Sequence, residues 1–362
     1  MATTFKSLST SDKVSTRTLL HEAIPLTGTI LSGTYSDNNI KNFSHGMFQS
    51  VYDYPYLSSS ANHIMDITVG YSADSSLSRS NSVQQSKKIN IYNQMAQVLV
   101  GHDHLGAVLR FDQDGDIVSG GTKLHECFFL NFSRLLTKDE IKKGSFAITV
   151  MTGGTYAART GDMVISDSGA ANDYRVNSPA GEYAVLYPEG GHADGRKVGL
   201  IYYQAGIVVL TASIFGAGDT AGASLTNPLV PTTASNYFGD GTVSGKVDTS
   251  VPAMMSGSEI SSSCNGFRNR LVNIAFNNTV ELNSTIYFCR AAHNEFNYSA
   301  NPSYLDSSKI RVKNESSDAP VSYITTIGLF SADNEMLAVA KLSEPLKKDP
   351  TNELTLRVRL DY

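Results

Sequence analysis

The residues ELTLRVRLDY near the carboxy terminus alternate. Leu354, Leu356, Val358 and Leu360 fall on one side, and Thr355, Arg357 and Arg359 on the other. A period of two predicts a strand with one inward face. Just upstream, YITTIGLFSADNEMLAVAKL is two apolar runs around a polar turn, SADNE. It predicts a hairpin in which Tyr323, Thr325, Ile327 and Leu329 share one face and Leu337 and Val339 share a face on the return. Together these three strands predict a C-terminal meander.

Further strands are predicted in HIMDITVGYS, in SFAITV, and in LVNIAFNNTVELNSTIYFCRA, where Val280, Leu282, Thr285, Tyr287 and Cys289 interleave with polar neighbours. In KVGLIYYQAGIVVLTASIF, two apolar runs flank Gln204 and Ala205. This is core, either as two tightly joined strands or as one strand interrupted at Gly206. The period changes in KKINIYNQMAQVLV, where Ile89, Tyr92, Ala96 and Leu99 fall near helical spacing and predict a helix near 87–100. In TKDEIKKG, Thr137 and Glu140 have capping-box spacing and Gly144 can stop the turn, so a second short helix is expected over 137–143.

The expected fold class is therefore mainly β, with β-sandwich or meander domains and one or two short helices. Residues 1–45 are Ser/Thr-rich with short apolar patches, and predict an extended arm with one or two short strands that orders against a partner. Residues 46–215 form a β-rich domain. Residues 216–257, dominated by Gly, Ala, Ser, Thr and Pro, predict a long loop excursion that is functional or meets a partner. Residues 258–362 form a C-terminal β domain.

Composition narrows the function. With 17% charged residues and a net charge of −5, the chain has no cationic footprint for nucleic acid, and its densest basic runs are only Lys87-Lys88 and Lys142-Lys143. The three cysteines, Cys127, Cys264 and Cys289, are odd in number and far apart, so they read as free thiols rather than a disulfide framework or zinc knuckle. The first residues lack the basic start and apolar core of a signal peptide, and no run approaches the ~20 apolar residues of a membrane span. Synthesis in the cytoplasm of the producing cell, with no membrane partner, is expected.

Candidate chemistry is thin. FDQDGD places Asp112, Asp114 and Asp116 at alternate positions, but an EF-hand needs a later Gly and a bidentate Glu where Lys123 stands, so a β-turn is expected instead. His102 and His104 alternate and could share a side, yet no third ligand is near them; His125 and His192 are remote. The pairs Glu182 with Glu189 and Asp162 with Asp167 have the residue types of glycosidase carboxylates, and nothing in the sequence fixes their separation. GxSxG, GxxxxGK[ST] and HExxH are all missing from the sequence. No catalytic residue, metal or cofactor is assigned, and the chain is expected not to be an enzyme.

The segment YITTIGLFSADNEMLAVAKLSEPLKK resembles a stretch of virion structural proteins of contractile-tailed phages, particularly those infecting marine cyanobacteria. KNFSHGMFQSVYDYPYLSSSANHI and YYQAGIVVLTASIF are similar to stretches of the same proteins, so the resemblance touches all three thirds of the chain. It implies a non-catalytic subunit of the virion tail, made in the host cytoplasm and present in multiple copies, with other tail or baseplate subunits as partners. A baseplate wedge component is the leading expectation. A neck or head-completion protein, or a tail module that grips or degrades host glycan, are the alternatives. Aromatic anchors with polar rims suit interfaces. Tyr52, Tyr54 and Tyr56 in the N-terminal block, and Phe330, Asp333 and Asn334 around the hairpin tip, are therefore the expected subunit contacts.

Overall fold

The computed structural model describes residues 5–27, 40–52, 63–78, 82–116, 120–155, 158–188, 197–214, 255, 259–299, 301–306, 309–310, 315 and 317–362. Tyr54, Tyr56, His192, Glu189 and nearly all of the 216–257 excursion lie outside these residues. In chain order the strands are β1 (Lys13–Thr27), β2 (Ile40–Asn42), β3 (Gln49–Tyr52), β4 (His63–Tyr71), β5 (Glu126–Phe132), β6 (Glu140–Ile141), β7 (Ala147–Thr155), β8 (Ala158–Ser166), β9 (Arg175–Ser178), β10 (Gly181–Pro188), β11 (Gly199–Tyr202), β12 (Ile207–Thr211), β13 (Leu271–Ala291), β14 (Leu305–Asp306), β15 (Lys309–Ile310), β16 (Ser322–Phe330), β17 (Met336–Lys348) and β18 (Leu354–Asp361). The α-helices among the described residues are α1 (Val83–Leu99), α2 (Arg134–Thr137) and α3 (Ile260–Arg270). The protein is mainly β, as its periodicity predicts.

The chain divides into two compact units, one of Leu20–Val280 and one joining Met1–Leu19 to Glu281–Tyr362. The division thus falls at 280/281, whereas the sequence places a boundary at 258. The physical reason is β13. No Gly or Pro interrupts Leu271–Ala291, so one strand continues, pairing first with β7 and β6 and then with β18.

In the larger unit, β2 to β5 follow one another as an antiparallel meander. The sheet continues from β5 through β12, β11, β10, β8 and β7 to β13. Its central strands read as continuous buried runs because both faces are covered. Phe128 and Phe129 show how. Adjacent residues of a strand point to opposite faces; the Phe128 ring meets Phe267 of α3 at 5.0 Å, while Phe129 meets Tyr92 of α1 at 6.4 Å.

Helix α1 starts where the Ser82 hydroxyl accepts from the Gln85 N–H at 3.2 Å. It buries Gln85, Lys88, Tyr92, Ala96 and Leu99 in one stripe. It also approaches β4 so closely that a Cβ on Gly70 would lie 2.6 Å from the Lys88 carbonyl oxygen. β11 and β12 form the tight hairpin, with Gly206 at φ +67 closing the turn.

Three elements also depart from what the sequence predicts. First, the arm contains a strand of fifteen residues, β1, which pairs with β13 of its own chain. Second, the helix expected over 137–143 is displaced: α2 ends at Thr137, Lys138 turns at φ 55, and Glu140–Ile141 pairs with β13. Thr137 is buried and its hydroxyl points back to the Ser133 carbonyl, so it does not cap a following helix. Third, the C-terminal meander is not formed. β16 and β17 make a separate two-stranded ribbon, and β18 pairs with β13 from Ser284↔Asp361 to Ala291↔Leu354. The buried Lys348 and the Asp349–Asn352 turn sit at this departure.

Candidate assembly surface

Every member of the continuous apolar core lies between Val51 and Phe276, within the larger unit. In the smaller unit the only buried apolar side chains among the described residues are Ala291 and Val358. Its other buried side chains are polar: Ser284, Thr285, Asn297, Ser322 and Lys348. Lys348 Nζ donates to the Asn297 amide oxygen at 2.7 Å, the Asp349 carbonyl at 2.9 Å and the His293 carbonyl at 3.2 Å. These bonds use all three ammonium donors. Asn283 and Tyr362 exchange backbone hydrogen bonds at 3.1 and 2.8 Å, which ties the last residue to β13.

The amino-terminal residues add ion pairs to this unit. Lys6 meets Glu295 at 2.5 Å, Arg17 meets Glu281 at 2.5 Å, and Arg290 meets Asp12 at 3.2 Å. Hydrogen bonds from Ser9 hold the Asp12 carboxyl below its usual range. Solvent screens pairs of this kind, so each adds little to stability. The unit is therefore laced by polar contacts around very little buried hydrocarbon.

The ribbon exposes several apolar side chains. Tyr323, Met336, Leu337 and Val339 are all at least half exposed. A bulge between Ile324 and Thr326 shifts the side-chain parity, so the half-buried face is Ile324, Ile327 and Leu329 with Ala338, Ala340 and Leu346 across the ladder. Tyr323 and Thr325, which simple alternation places on that face, are instead exposed. A two-stranded ribbon alone is marginal in water, so this surface is suited to being covered. A shallow cleft beside it is lined by Ser299, Asn301, Ser303, Tyr304, Tyr323 and Pro345.

Of the expected contact residues, Phe330, Asp333 and Asn334 come together at the ribbon tip. Asp333 and Asn334 are exposed. Asn334 adopts φ 64, a conformation that Asn tolerates better than most residues, and its N–H donates to the Ser331 carbonyl at 3.1 Å. Tyr52 is elsewhere, half-buried at the end of β3 with its ring 5.3 Å from that of His63.

The chemical candidates resolve into structural roles. Asp112 is buried, accepts from the Asp114 N–H at 2.7 Å and pairs with Lys123 at 2.5 Å, forming a turn with Gly115 at φ +68. His102 and His104 are exposed, and the Nδ1 of His125 lies 2.8 Å from the Ser72 hydroxyl. No group of three His, Cys, Asp or Glu among the described residues could hold a metal ion. Asp167 is fully buried while Asp162 is exposed. The Asp167 carboxylate accepts from the Tyr203 hydroxyl at 2.8 Å and from the Gly144 and Phe146 N–H groups at 2.7 and 2.9 Å. Burial raises its pKa despite these donors. The arrangement is a latch between the β7/β8 region and the end of β11.

Two features escape sequence reasoning. Helix α3 opens the region expected to be a C-terminal β domain; Ile260, Cys264 and Phe267 have the i, i+4, i+7 spacing that marks it. Lys88 lies fully buried in the stripe of α1 and donates to the Met255 carbonyl; burial lowers its pKa to about 8. No described helix is long and apolar enough to cross a membrane. No protein-family model, curated protein or solved structure matches the chain.

Proposed function

We propose that this chain is a structural subunit that acts through protein–protein contacts in a phage virion, as a tail baseplate wedge component working without a cofactor. The observation that supports assembly is the smaller unit, with Ala291 and Val358 as its only described buried apolar residues beside an exposed apolar ribbon. Burial of apolar area is the main favourable term in folding and association. A unit that buries so little by itself gains it from neighbours. The virion setting rests on the resemblance of the Tyr323–Lys348 segment and its two companions to tail structural proteins, and a neck or head-completion position is the alternative placement.

A second reading has a feature of its own in its favour. The cleft beside the ribbon combines the Tyr304 and Tyr323 rings with Asn and Ser side chains, a mix suited to gripping a glycan. The deciding experiment is quantitative mass spectrometry of purified particles, with an assay of host-envelope glycan binding by the free chain. Stoichiometric incorporation, in multiples of six for a wedge, supports the structural reading. Absence from particles overturns it, and glycan binding by the free chain would then favour the second reading.

A further inference from the structure

We infer that the free edge of β16 pairs with β16 of a second copy of this chain, which turns the ribbon into a four-stranded antiparallel sheet. The inference rests on the structural-subunit reading and names the partner of that surface.

The two edges of the ribbon differ. β17 carries Lys341, Glu344, Pro345 and Lys347. Charges and a proline without an N–H are the means by which proteins guard an edge strand. β16, Ser322–Phe330, has the sequence SYITTIGLF, with no charge and no proline. Among the described residues no strand but β17 pairs with it.

The ends of β16 are occupied by the chain itself. The Tyr323 N–H donates to the Tyr304 hydroxyl at 3.0 Å, and the Phe5 ring lies 4.7 Å from that of Phe330. The Phe330 ring also covers Gly328, where an added Cβ would come within 2.7 Å of it. Among the described residues, the stretch left open is Thr326 to Leu329.

A second copy fits this edge for two reasons. An uncharged strand meets itself with no like charges opposed, whereas β17 paired with itself would bring its lysines and glutamate into proximity with their copies. A two-fold axis normal to the sheet also makes the strands antiparallel and keeps the Ile324, Ile327 and Leu329 faces of both copies on one side. The apolar face is then continuous across four strands, beyond the two-strand limit at which ribbons are marginal.

The test is sedimentation of the full chain as wild type, Thr326→Glu and Ser343→Glu. Thr326 is exposed and faces Lys341 across the ladder, so a glutamate there suits the ribbon while bringing like charges of the two copies close together on the paired edge. The expectation is a wild-type dimer, weakening by roughly tenfold or more in T326E, the equivalent of about 1.4 kcal/mol, and no change in S343E on the guarded strand. Hydrogen exchange on wild type alone provides a measurement independent of any variant's folding: amides from Thr326 to Leu329 should slow as concentration rises. A wild-type monomer at tens of micromolar, a T326E dimer as tight as wild type, or concentration-independent exchange overturns the inference. A monomer that still enters particles defeats this pairing and leaves the structural-subunit reading standing; a β16-paired dimer absent from particles does the reverse.

Discussion

Phe5 places its ring 4.7 Å from that of Phe330, tilted by 55°, so the amino-terminal segment is packed on the tip of the C-terminal ribbon. An aromatic pair of this geometry contributes about 0.5–1.5 kcal/mol beyond its area. Phe5→Ala should therefore speed hydrogen exchange at Leu329 and Phe330 several-fold in the free chain, with the larger unit unaffected. Unchanged exchange at the tip would show that Phe5 does not hold it.

Lys348 is the polar centre of the smaller unit. Lys348→Met removes three donated hydrogen bonds and leaves the Asn297 amide oxygen and two carbonyls without that donor. The expected loss is about 1.5–3 kcal/mol, read as early exchange of β16, β17 and β18 while β4, β5 and β12 stay protected. Equal loosening of both units would contradict the division at 280/281.

Stability should depend on pH through Lys88. Its folded pKa is lowered to about 8 by burial, while an unfolded lysine stays protonated to about 10.4. Between those values the unfolded chain binds more protons than the folded one, so stability rises with pH across the window; below it both states are charged and the cost is constant. Urea midpoints at about pH 7.5 and about pH 9.5 should differ in wild type, and Lys88→Met should lose this contribution. An identical rise in K88M would assign the effect to other groups.

Tyr203→Phe removes one donor from the buried Asp167 carboxylate and leaves the two backbone N–H groups in place. A destabilisation of about 1–3 kcal/mol is expected. The remaining carboxylate should also have its pKa raised further, because the Tyr203 bond is the foremost of the contributions that lower it. A raised carboxylate pKa favours the folded state at low pH, so the defect should grow as pH rises through that value and shrink in acid. Thermal melts across the acid range check both parts.

The fold class and most strands were legible because period-two alternation survives wherever one face is buried, as in β18, and because uninterrupted apolar runs mark the fully covered strands β11 and β12. Pairing was less legible. Nothing in ELTLRVRLDY says that its partner is β13 rather than the adjacent β17, since the choice depends on the turn around Lys348 and on a free edge contributed by a strand far away in sequence. The tip residues Phe330, Asp333 and Asn334 were legible as one cluster because a hairpin turn is local. Lys88 was hidden because a lysine in a helical stripe ordinarily signals the solvated side, and its acceptor, the Met255 carbonyl, is remote in sequence.

The most direct test of the central claim is a cryo-electron microscopy map of intact particles resolved well enough to trace the smaller unit. The account predicts density for the chain in the tail, with neighbouring subunits covering the β16/β17 ribbon and the exposed side of the unit that contains β18. Particles lacking the chain, or containing it with that ribbon facing solvent on every copy, would contradict it.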